Sequence, residues 1–348
     1  MLKACFLFGG KSFEHEVSVS SMRSVLLAYT SKKFSVTVAG LDLQNRLQFF
    51  SKEEFLSRFD AYGRFERVDE PANFEDLKNF DVVFPIMHGD YVEDGSIQGL
   101  FTLFQIPFVG PKVLSSSVCM DKEVAKRLLV HAGLKVADWV ALGPYDSLDI
   151  DLIEQKIGYP CFVKPSTSGS SCGVTKVKSQ KDIEEAIVEA RRFSTKVLVE
   201  KAVLGLELEC SVFGLEKLLA SRVGQVIPKK EFYDYESKYV LSDGAIIEAP
   251  ANIAEELERD IQDTAIKVFK ILDCEMMARV DFFYDGQLYV NEVNTIPGFT
   301  PISLYPKLLG LSGIPYNQLV DDLLEMALRS HLHKEREDPY APSSQCLP

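Results

Sequence analysis

The sequence predicts an α/β protein that opens with a doubly wound unit. Residues 3–8 are an apolar run that reads as a buried strand, Gly9-Gly10 follows it, and residues 16–29 have helical apolar spacing. A strand, a glycine turn and a helix in this order are typical of open parallel sheets. Runs at 34–41 and 81–87 predict further strands of the same sheet.

Length and composition indicate an ordinary globular protein. The 348 residues are enough for two or three domains with cores of their own, and 46% are hydrophobic while 26% are charged. The net charge of −13 argues against a nucleic-acid surface, although a local basic pocket for a nucleotide is compatible with it. No apolar run approaches the roughly 20 residues of a membrane span.

The cysteines and the first residues predict a cytoplasmic protein. The seven cysteines are scattered without Cys-x-x-Cys spacing, which favours reduced thiols, several of them in the core. The chain enters its first strand at once, and this strand is too short for the core of a signal peptide.

Polar residues follow two of the predicted parallel strands. Glu14, His15 and Glu16 lie in the turn after the first strand, and His88 follows the strand at 81–87. Open α/β sheets bind ligands at the carboxyl ends of their strands, which favours a binding or catalytic role. A solvated loop charge or a structural histidine remains the alternative.

A second module begins after a crossing at 107–111. Its strand at 160–164 leads into a loop of small residues, Pro165–Gly173, whose backbone N–H groups could cover phosphates. Lys122 and Lys164 would supply cations beside it, while a flexible linker is the alternative. The aromatic, polar stretch 229–242 predicts an ordered lid.

The strongest local signal is a hairpin of charged strands. Residues 276–283 and 288–294 flank an Asp285-Gly286 turn, and alternation places Val290 on one face with Glu292 and Asn294. The first strand carries Arg279 and Asp281 in the same way.

Folded together, the two strands present two carboxylates and an amide side by side. Such oxygen donors suit a hard ion such as Mg²⁺. A surface hairpin with solvated charges is the alternative. The turn after it, 296–301, cannot continue as a strand and would expose backbone N–H groups beside the ion, an arrangement that favours phosphoryl transfer.

Seven stretches, taken in order from residue 4 to about 330, closely resemble the D-alanine–D-alanine ligase family of the ATP-grasp superfamily. They are Gly9-Gly10 with Glu14–Ser18, His88-Gly89 with Glu93–Gly95, Met120–Lys122, Val163–Pro165 with Gly169–Ser171, Phe232–Tyr239, Arg279–Asp281, and Asn291–Thr295 with Pro297–Leu304. Each motif alone is weak, but the ordered set is specific.

The resemblance implies a fold of three domains. They are an N-terminal α/β substrate domain with a doubly wound parallel sheet (1–110), a central ATP-grasp domain (111–203) and a C-terminal ATP-grasp domain with the metal site (204–332). The ATP-grasp part would be α+β, and residues 333–348 are predicted to be a flexible tail.

The resemblance also implies the reaction. ATP would phosphorylate one D-alanine, and the amine of a second would attack the D-alanyl phosphate, giving D-alanyl-D-alanine for peptidoglycan synthesis. Two Mg²⁺ or Mn²⁺ ions would assist, and a homodimer through the first domain would be typical. The alternatives are a D-alanine–D-lactate or D-alanine–D-serine ligase of the resistance type, and a non-catalytic nucleotide-binding protein.

By resemblance, each candidate residue acquires a role. The catalytic residues would be Glu14, Ser170, Tyr239, Arg279 and Gly298. The ATP-binding residues would be Lys122, Lys164, Ser171, Glu200, Lys201, Val203, Glu207 and Lys238. The residues at the two D-alanine subsites would be Val17, His88, Ser303 and Leu304. The metal ligands would be Asp281, Glu292 and Asn294.

Overall fold

The structure, a computed structural model, describes residues 1–59, 65, 70–228, 245–300 and 303–337. Its first sheet consists of the strands β1 (Leu2–Gly9), β2 (Phe34–Leu41), β3 (Leu47–Phe50) and β4 (Val82–Pro85). The strand order is β3-β2-β1-β4, and β1 pairs in parallel with both β2 and β4. The helices of this part are α1 (His15–Ala28), α2 (Lys52–Arg58) and α3 (Ser96–Leu103). The doubly wound opening is therefore confirmed, with β3 as an antiparallel edge.

The central sheet is antiparallel throughout. Its strands are β5 (Trp139–Leu142), β6 (Cys161–Pro165), β7 (Thr175–Val177) and β8 (Val197–Lys201), in the order β5-β8-β6-β7. The helices are α4 (Val113–Met120), α5 (Lys122–His131), α6 (Ile150–Lys156) and α7 (Ile183–Ala190). Asp121 begins α5 by accepting the N–H groups of Glu123 and Val124, as its position in the sequence indicates. Helix α4 and strand β5 were not predicted.

The third sheet contains the charged hairpin. Its strands are β9 (Leu206–Gly214), β10 (Leu219–Pro228), β11 (Ala245–Glu248), β12 (Met276–Tyr284) and β13 (Leu288–Asn294), in the order β11-β10-β9-β12-β13. The helices are α8 (Glu255–Ile271), α9 (Leu304–Leu311) and α10 (Tyr316–Glu337). None of the described helices is long and apolar enough to cross a bilayer.

Helix α10 packs against the first sheet although it is far from it in sequence. Its residues Leu319, Leu323 and Ala327 are buried in the same apolar cluster as Phe6 of β1. Their spacing of four places them on one face of the helix. Beside them Asp321 accepts hydrogen bonds from Tyr29 (2.5 Å) and Ser31 (2.7 Å). The first and third sheets therefore share one core.

The three sheets follow the chain in sequence. The chain passes to the central sheet between Pro85 and Trp139 and to the third between Lys201 and Leu206, around the predicted boundaries at 110 and 203. The division into three domains stays a proposal, because the core of the first includes C-terminal helices. Helix α10 continues to Glu337, beyond the predicted start of the tail at 333.

Candidate active site

The turn after β1 is built for a close approach of backbone segments. Gly9 and Gly10 have φ of 88° and 95°, and a Cβ on Gly9 would lie 2.2 Å from the Leu41 carbonyl oxygen. Buried Ser18 of α1 accepts the Gly9 N–H (2.8 Å) and donates to the Ile86 carbonyl (2.8 Å). Ser18 thus joins the carboxyl ends of β1 and β4, a role that the sequence reasoning did not assign.

Two predicted residues meet at this edge of the sheet. The Ser12 hydroxyl accepts the Glu14 N–H (3.0 Å) and donates to the His88 carbonyl (2.8 Å). Both Glu14 and His88 are buried. Burial lowers the pKa of His88, although Glu14 and a backbone hydrogen bond with Ile296 oppose that shift. The structure therefore brings together the polar groups that follow two adjacent parallel strands.

A second acid lies in the same place. The Gly89 N–H donates to the Glu93 carboxyl group (2.8 Å). Burial raises the pKa of Glu93 to about 8, and nearby Glu14 adds to the shift. Protonated Glu93 predominates at neutral pH, which relieves the repulsion between two neighbouring carboxyl groups. In the sequence, Glu93 was recognised only as part of a motif.

Replacement of Glu93 with glutamine is expected to remove a pH-dependent part of the stability. The pKa of Glu93 is about 8 in the fold and 4.5 ordinarily, so its contribution is fully present below about pH 4.5. It declines as the pH rises and is lost above about pH 8. The free energy of unfolding should therefore fall less steeply over this range in Glu93→Gln, which urea titrations measure. Glu53→Gln, at an exposed position, is the control; parallel curves for Glu93→Gln and wild type would contradict the assignment.

Among the described residues, a hydrogen bond and a ring contact join the loops of the first sheet to those of the central part. The Ser170 hydroxyl donates to the Glu14 carboxylate, and the rings of Phe13 and Phe193 lie 5.5 Å apart. Tyr239, the third member of the predicted hydrogen-bonded trio, lies outside the described residues. The loop after β6 therefore reaches the turn after β1, as a closed site requires.

The loop after β6 is held in an uncommon backbone conformation. Ser170 and Ser171 both have positive φ, 54° and 59°, which costs roughly 1 kcal/mol or more for each residue that is not glycine. The Lys122 ammonium donates to the Ser168 carbonyl (2.8 Å) and lies 3.5 Å from the Glu292 carboxylate. Lys122 thus connects this loop to the charged hairpin. Such held loops are typical of ligand clamps.

A buried trio of charges lies on β6, β8 and α5. The Glu200 carboxylate contacts Lys164 through Oε1 (2.7 Å) and Lys126 through Oε2 (2.6 Å). Burial alone would raise the pKa of Glu200, but the two lysines outweigh it and lower the pKa. Lys164 and Glu200 were predicted from the sequence, but Lys126 was not. Its spacing of four from Lys122 on a predicted helix was the available signal.

The other predicted adenosine residues follow on the connector to the third sheet. Lys201 ends β8, is exposed and donates its N–H to the Asp138 carbonyl (2.9 Å). Val203 is half-buried in the connector, and Glu207 lies at the start of β9, paired with Phe283. These residues therefore follow Glu200 closely along the chain.

The register of the hairpin gathers the predicted metal residues. Arg279 lies opposite Asn294, and Asp281 lies opposite Glu292. Paired residues in a sheet share a face, so all four side chains lie on the same face. The Asn294 amide nitrogen donates to Asp281 Oδ2 at 3.0 Å.

The predicted orientation of Val290 is wrong. A β-bulge after Asp281 pairs Phe282 with Val290, which leaves one extra residue, Asn291, in β13. Val290 therefore joins Phe282 and Val293 in the apolar core, opposite the charged face. Simple alternation fails here because the bulge shifts the period by one residue.

Arg279 makes three contacts on this face with the buried carboxylates of Asp281 and Glu209. Its Nε and Nη2 atoms lie 2.7 and 2.6 Å from the two Asp281 oxygens, and Nε lies 2.9 Å from Glu209 Oε2. Burial alone would lower the pKa of Arg279, but Asp281 and Glu209 raise it well above its ordinary value. Glu209 was missed by the sequence reasoning; it lies opposite Asp281 across β9 and β12.

The predicted metal ligands fit a divalent cation by their chemistry. Two carboxylates and an amide oxygen on one face of a hairpin are donors that Mg²⁺ and Mn²⁺ accept. A carboxylate has about four acceptor sites, so hydrogen bonds to Asp281 do not prevent it from binding an ion. Among the described residues, no group of three or more His, Cys, Asp or Glu side chains is placed to hold a metal. The amide oxygen of Asn294 would therefore be the third protein ligand beside Asp281 and Glu292.

The turn after the hairpin leads into α9. A Cβ on Gly298 would lie 3.1 Å from Ser303 Oγ, so the two residues are close. Ser303 Oγ accepts the Thr300 N–H (3.2 Å) and lies 2.7 Å from the Thr300 hydroxyl. The side chain of Leu304 lies in an apolar cluster with Val226, so its backbone N–H is the group available for polar binding. These groups surround the amino-terminal end of α9, where anions bind.

Val17 adds little to this geometry, since it is half-buried in the first turn of α1. Lys238, also predicted, lies outside the described residues.

Comparison with known proteins decides the family. Residues 3–111 match the family described as D-ala D-ala ligase N-terminus, and residues 128–325 match D-ala D-ala ligase C-terminus. The chain belongs to the D-alanine–D-alanine ligase family. It is 44% identical to D-alanine–D-alanine ligase A of Chromobacterium violaceum, over 94% of this chain and 95% of that protein.

Two solved structures of ligases share the fold over nearly the whole chain. The VanG D-Ala:D-Ser ligase from Enterococcus faecalis superimposes with a TM-score of 0.83 at 35% identity, over 94% of this chain and 99% of that one. A D-alanine–D-alanine ligase from Bacillus anthracis complexed with ATP gives 0.77 at 27% identity, over 96% and 100%. The three-sheet arrangement is thus that of the ligase family.

Proposed function

We propose that this protein joins two D-alanines to D-alanyl-D-alanine at the expense of ATP, for peptidoglycan synthesis in the cytoplasm. One observation carries the proposal: the loop after β6 contacts both sides of the site. Ser170 donates to Glu14 on one side, and Ser168 accepts from Lys122, which reaches Glu292, on the other. Membership of the ligase family supplies the reaction that such a closed arrangement serves.

ATP would lie between the central and third sheets. Lys122 and Lys164 would contact the phosphates, supported by the backbone N–H groups of Ser170 and Ser171. Lys238 belongs to the same predicted set. The adenosine would lie along Glu200 and the connector, with the predicted residues Lys201, Val203 and Glu207.

Two Mg²⁺ or Mn²⁺ ions would be held by Asp281, Glu292 and Asn294. When bound, they would neutralise phosphate charge during transfer. Arg279 lies beside these ligands and is held by Asp281 and Glu209, so its guanidinium is preorganised.

The first D-alanine would lie by the turn after β1. There the Glu14 carboxylate would pair with its ammonium group, with His88 and Val17 near it. The second D-alanine would place its carboxylate on the Ser303 hydroxyl and the Leu304 N–H at the start of α9.

The reaction has two steps. The carboxylate of the first D-alanine takes the γ-phosphoryl group of ATP, and ADP leaves. The deprotonated amine of the second D-alanine then attacks the acyl carbon and inorganic phosphate leaves. Arg279 and the Gly298 N–H would stabilise the oxyanion between these events. Contact between Glu14 and Ser170 keeps the loop closed, which protects the acyl phosphate from water.

The decisive measurement is phosphate release. We expect release only when ATP, D-alanine and Mg²⁺ are all present, with D-alanyl-D-alanine formed in equal amount. Nucleotide binding without D-alanine-dependent release would instead support the non-catalytic alternative.

A second candidate acceptor is D-serine, because the superimposed VanG structure is a D-Ala:D-Ser ligase. We expect D-alanyl-D-alanine to dominate when D-alanine, D-serine and D-lactate compete in one tube across about pH 6 to 9. Tyr239 is the predicted lid residue, and a phenol with a pKa of about 10 never carries a positive charge that would repel an ammonium acceptor. Mass spectrometry resolves the products. A depsipeptide as the main product near pH 6, or a serine dipeptide at any pH, would contradict this preference.

The quaternary state is also a proposal. A homodimer through the first domain would be typical of the family, and sedimentation of the purified protein tests it.

A further inference from the structure

Lys126 is a lysine in an unusual place. Only 1% of the residue is exposed, and its ammonium lies 2.6 Å from Glu200 Oε2. It also donates to the Ala137 carbonyl (3.2 Å) and lies 5.6 Å from the centre of the Trp139 ring. Burial of an ammonium group raises the free energy of the fold unless the group is paired. The buried position of Lys126 therefore suggests a specific role.

The partner of Lys126 already has another cation. Glu200 contacts Lys164 through Oε1 (2.7 Å) and Lys126 through Oε2 (2.6 Å), one lysine on each oxygen. All three side chains are at most 10% exposed. One lysine would have neutralised the carboxylate, so a second lysine is more than charge balance at Glu200 requires.

We infer that Lys126 is a positioning residue that allows Lys164 to turn from Glu200 to the phosphates of ATP. This inference rests on the proposed function, in which Lys164 contacts those phosphates. When Lys164 leaves Oε1, Glu200 stays paired through Lys126 and does not become an isolated buried carboxylate. Without Lys126, Glu200 would retain Lys164 as its only cation and compete with the nucleotide for it.

The location of Lys126 supports this role. It lies four residues after Lys122 on α5, and residues at that spacing share one helix face. Lys122 contacts the loop after β6 and Glu292, while Lys126 contacts Glu200. Helix α5 therefore fixes cations at both the phosphate and the adenosine side of the proposed nucleotide site.

The test compares ligands with and without phosphates. Calorimetry would measure the binding of adenosine and of ATP to wild type, Lys126→Met and Lys126→Arg. In Lys126→Met we expect ATP to bind at least about tenfold more weakly, the size of a lost charge-assisted hydrogen bond. Adenosine should change less than about twofold, and Lys126→Arg should restore ATP binding because it keeps the charge.

Lys156→Met is the matched control. The Lys156 ammonium lies 5.8 Å from the same Trp139 ring, and this variant loses that contact while the pairs of Glu200 remain. It should bind both ligands as wild type does. If Lys126→Met does not fold, Lys126→Gln keeps a polar, uncharged head and replaces it in the comparison.

The outcomes separate the explanations. Equal losses for adenosine and ATP, or no loss of either, would overturn the positioning role of Lys126. Failure of the wild type to bind ATP would instead refute the proposed function. That result is distinguishable, because no variant would then differ from wild type in ATP binding. A selective loss for ATP supports the inference.

Discussion

Replacement of Arg279 with methionine is expected to lower kcat by about a thousandfold, the effect of removing a group that stabilises a developing oxyanion. The guanidinium is held by a two-point contact with Asp281 and a further contact with Glu209. It is thus fixed before substrate arrives. Phosphate release and dipeptide formation measure the loss.

The same change has a structural cost that must be separated from catalysis. Loss of the guanidinium removes the cation that the largely buried carboxylates of Asp281 and Glu209 share, and breaking such a buried pair costs about 3–5 kcal/mol. Arg279→Lys keeps the charge but loses the two-point geometry, so it should fold better and remain strongly impaired. Thermal melts of both variants establish the folded fraction. A folded Arg279→Met enzyme with turnover within tenfold of wild type would show that Arg279 does not act on the reacting atoms.

Much of the fold could be predicted because its signals are local. The run from 3 to 8, the Gly9-Gly10 turn and the helical spacing after it determine one strand, one turn and one helix without distant contacts. The Asp285-Gly286 turn likewise fixed the hairpin that carries Arg279 and Asp281. Local patterns also predicted that Glu14 and His88 each follow a strand, and the pairing of β1 with β4 brings them to one edge.

The rest depends on contacts between distant segments. The bulge at Asn291 reverses the expected orientation of Val290. The residue types at this position do not predict a bulge. The spacing of Leu319 and Leu323 predicts a helix but does not show which surface the helix packs against. In the structure that surface is the first sheet. Lys126 was not selected from the sequence, because only the fold places Glu200 against it.

In the candidate site, too, the features that depend on local sequence were predictable and those that depend on distant contacts were not. Residue types at the hairpin predicted a magnesium site, and the register brings Asp281, Glu292 and Asn294 to one face. Glu209 could not be predicted as a partner of Arg279, because the two lie on strands far apart in sequence. Likewise, the raised pKa of Glu93 arises from burial beside Glu14 and not from its motif.

Replacement of Asn294 with alanine is expected to disable the metal site while the protein stays folded. Its amide is half-buried on the hairpin surface and donates one hydrogen bond to Asp281, so its loss leaves the core intact. Mutation of residues that only hydrogen-bond to a metal ligand lowers metal affinity or activity by about 10- to 100-fold. Loss of a direct ligand should lower them at least as much. Asn291→Ala, at the bulge of the same strand, is the control and should remain near wild type.

Two measurements test the Asn294 prediction independently. Magnesium titration of phosphate release should show a higher half-saturating concentration, a lower maximum rate, or both. Paramagnetic resonance of Mn²⁺ in the presence of ATP should show fewer bound ions in Asn294→Ala than in Asn291→Ala. Because the two carboxylates of Asp281 and Glu292 remain, weak binding should persist and excess metal should recover part of the rate. Wild-type turnover and wild-type Mn²⁺ binding in folded Asn294→Ala would remove Asn294 from the metal site, and two carboxylates alone would then have to hold the ions.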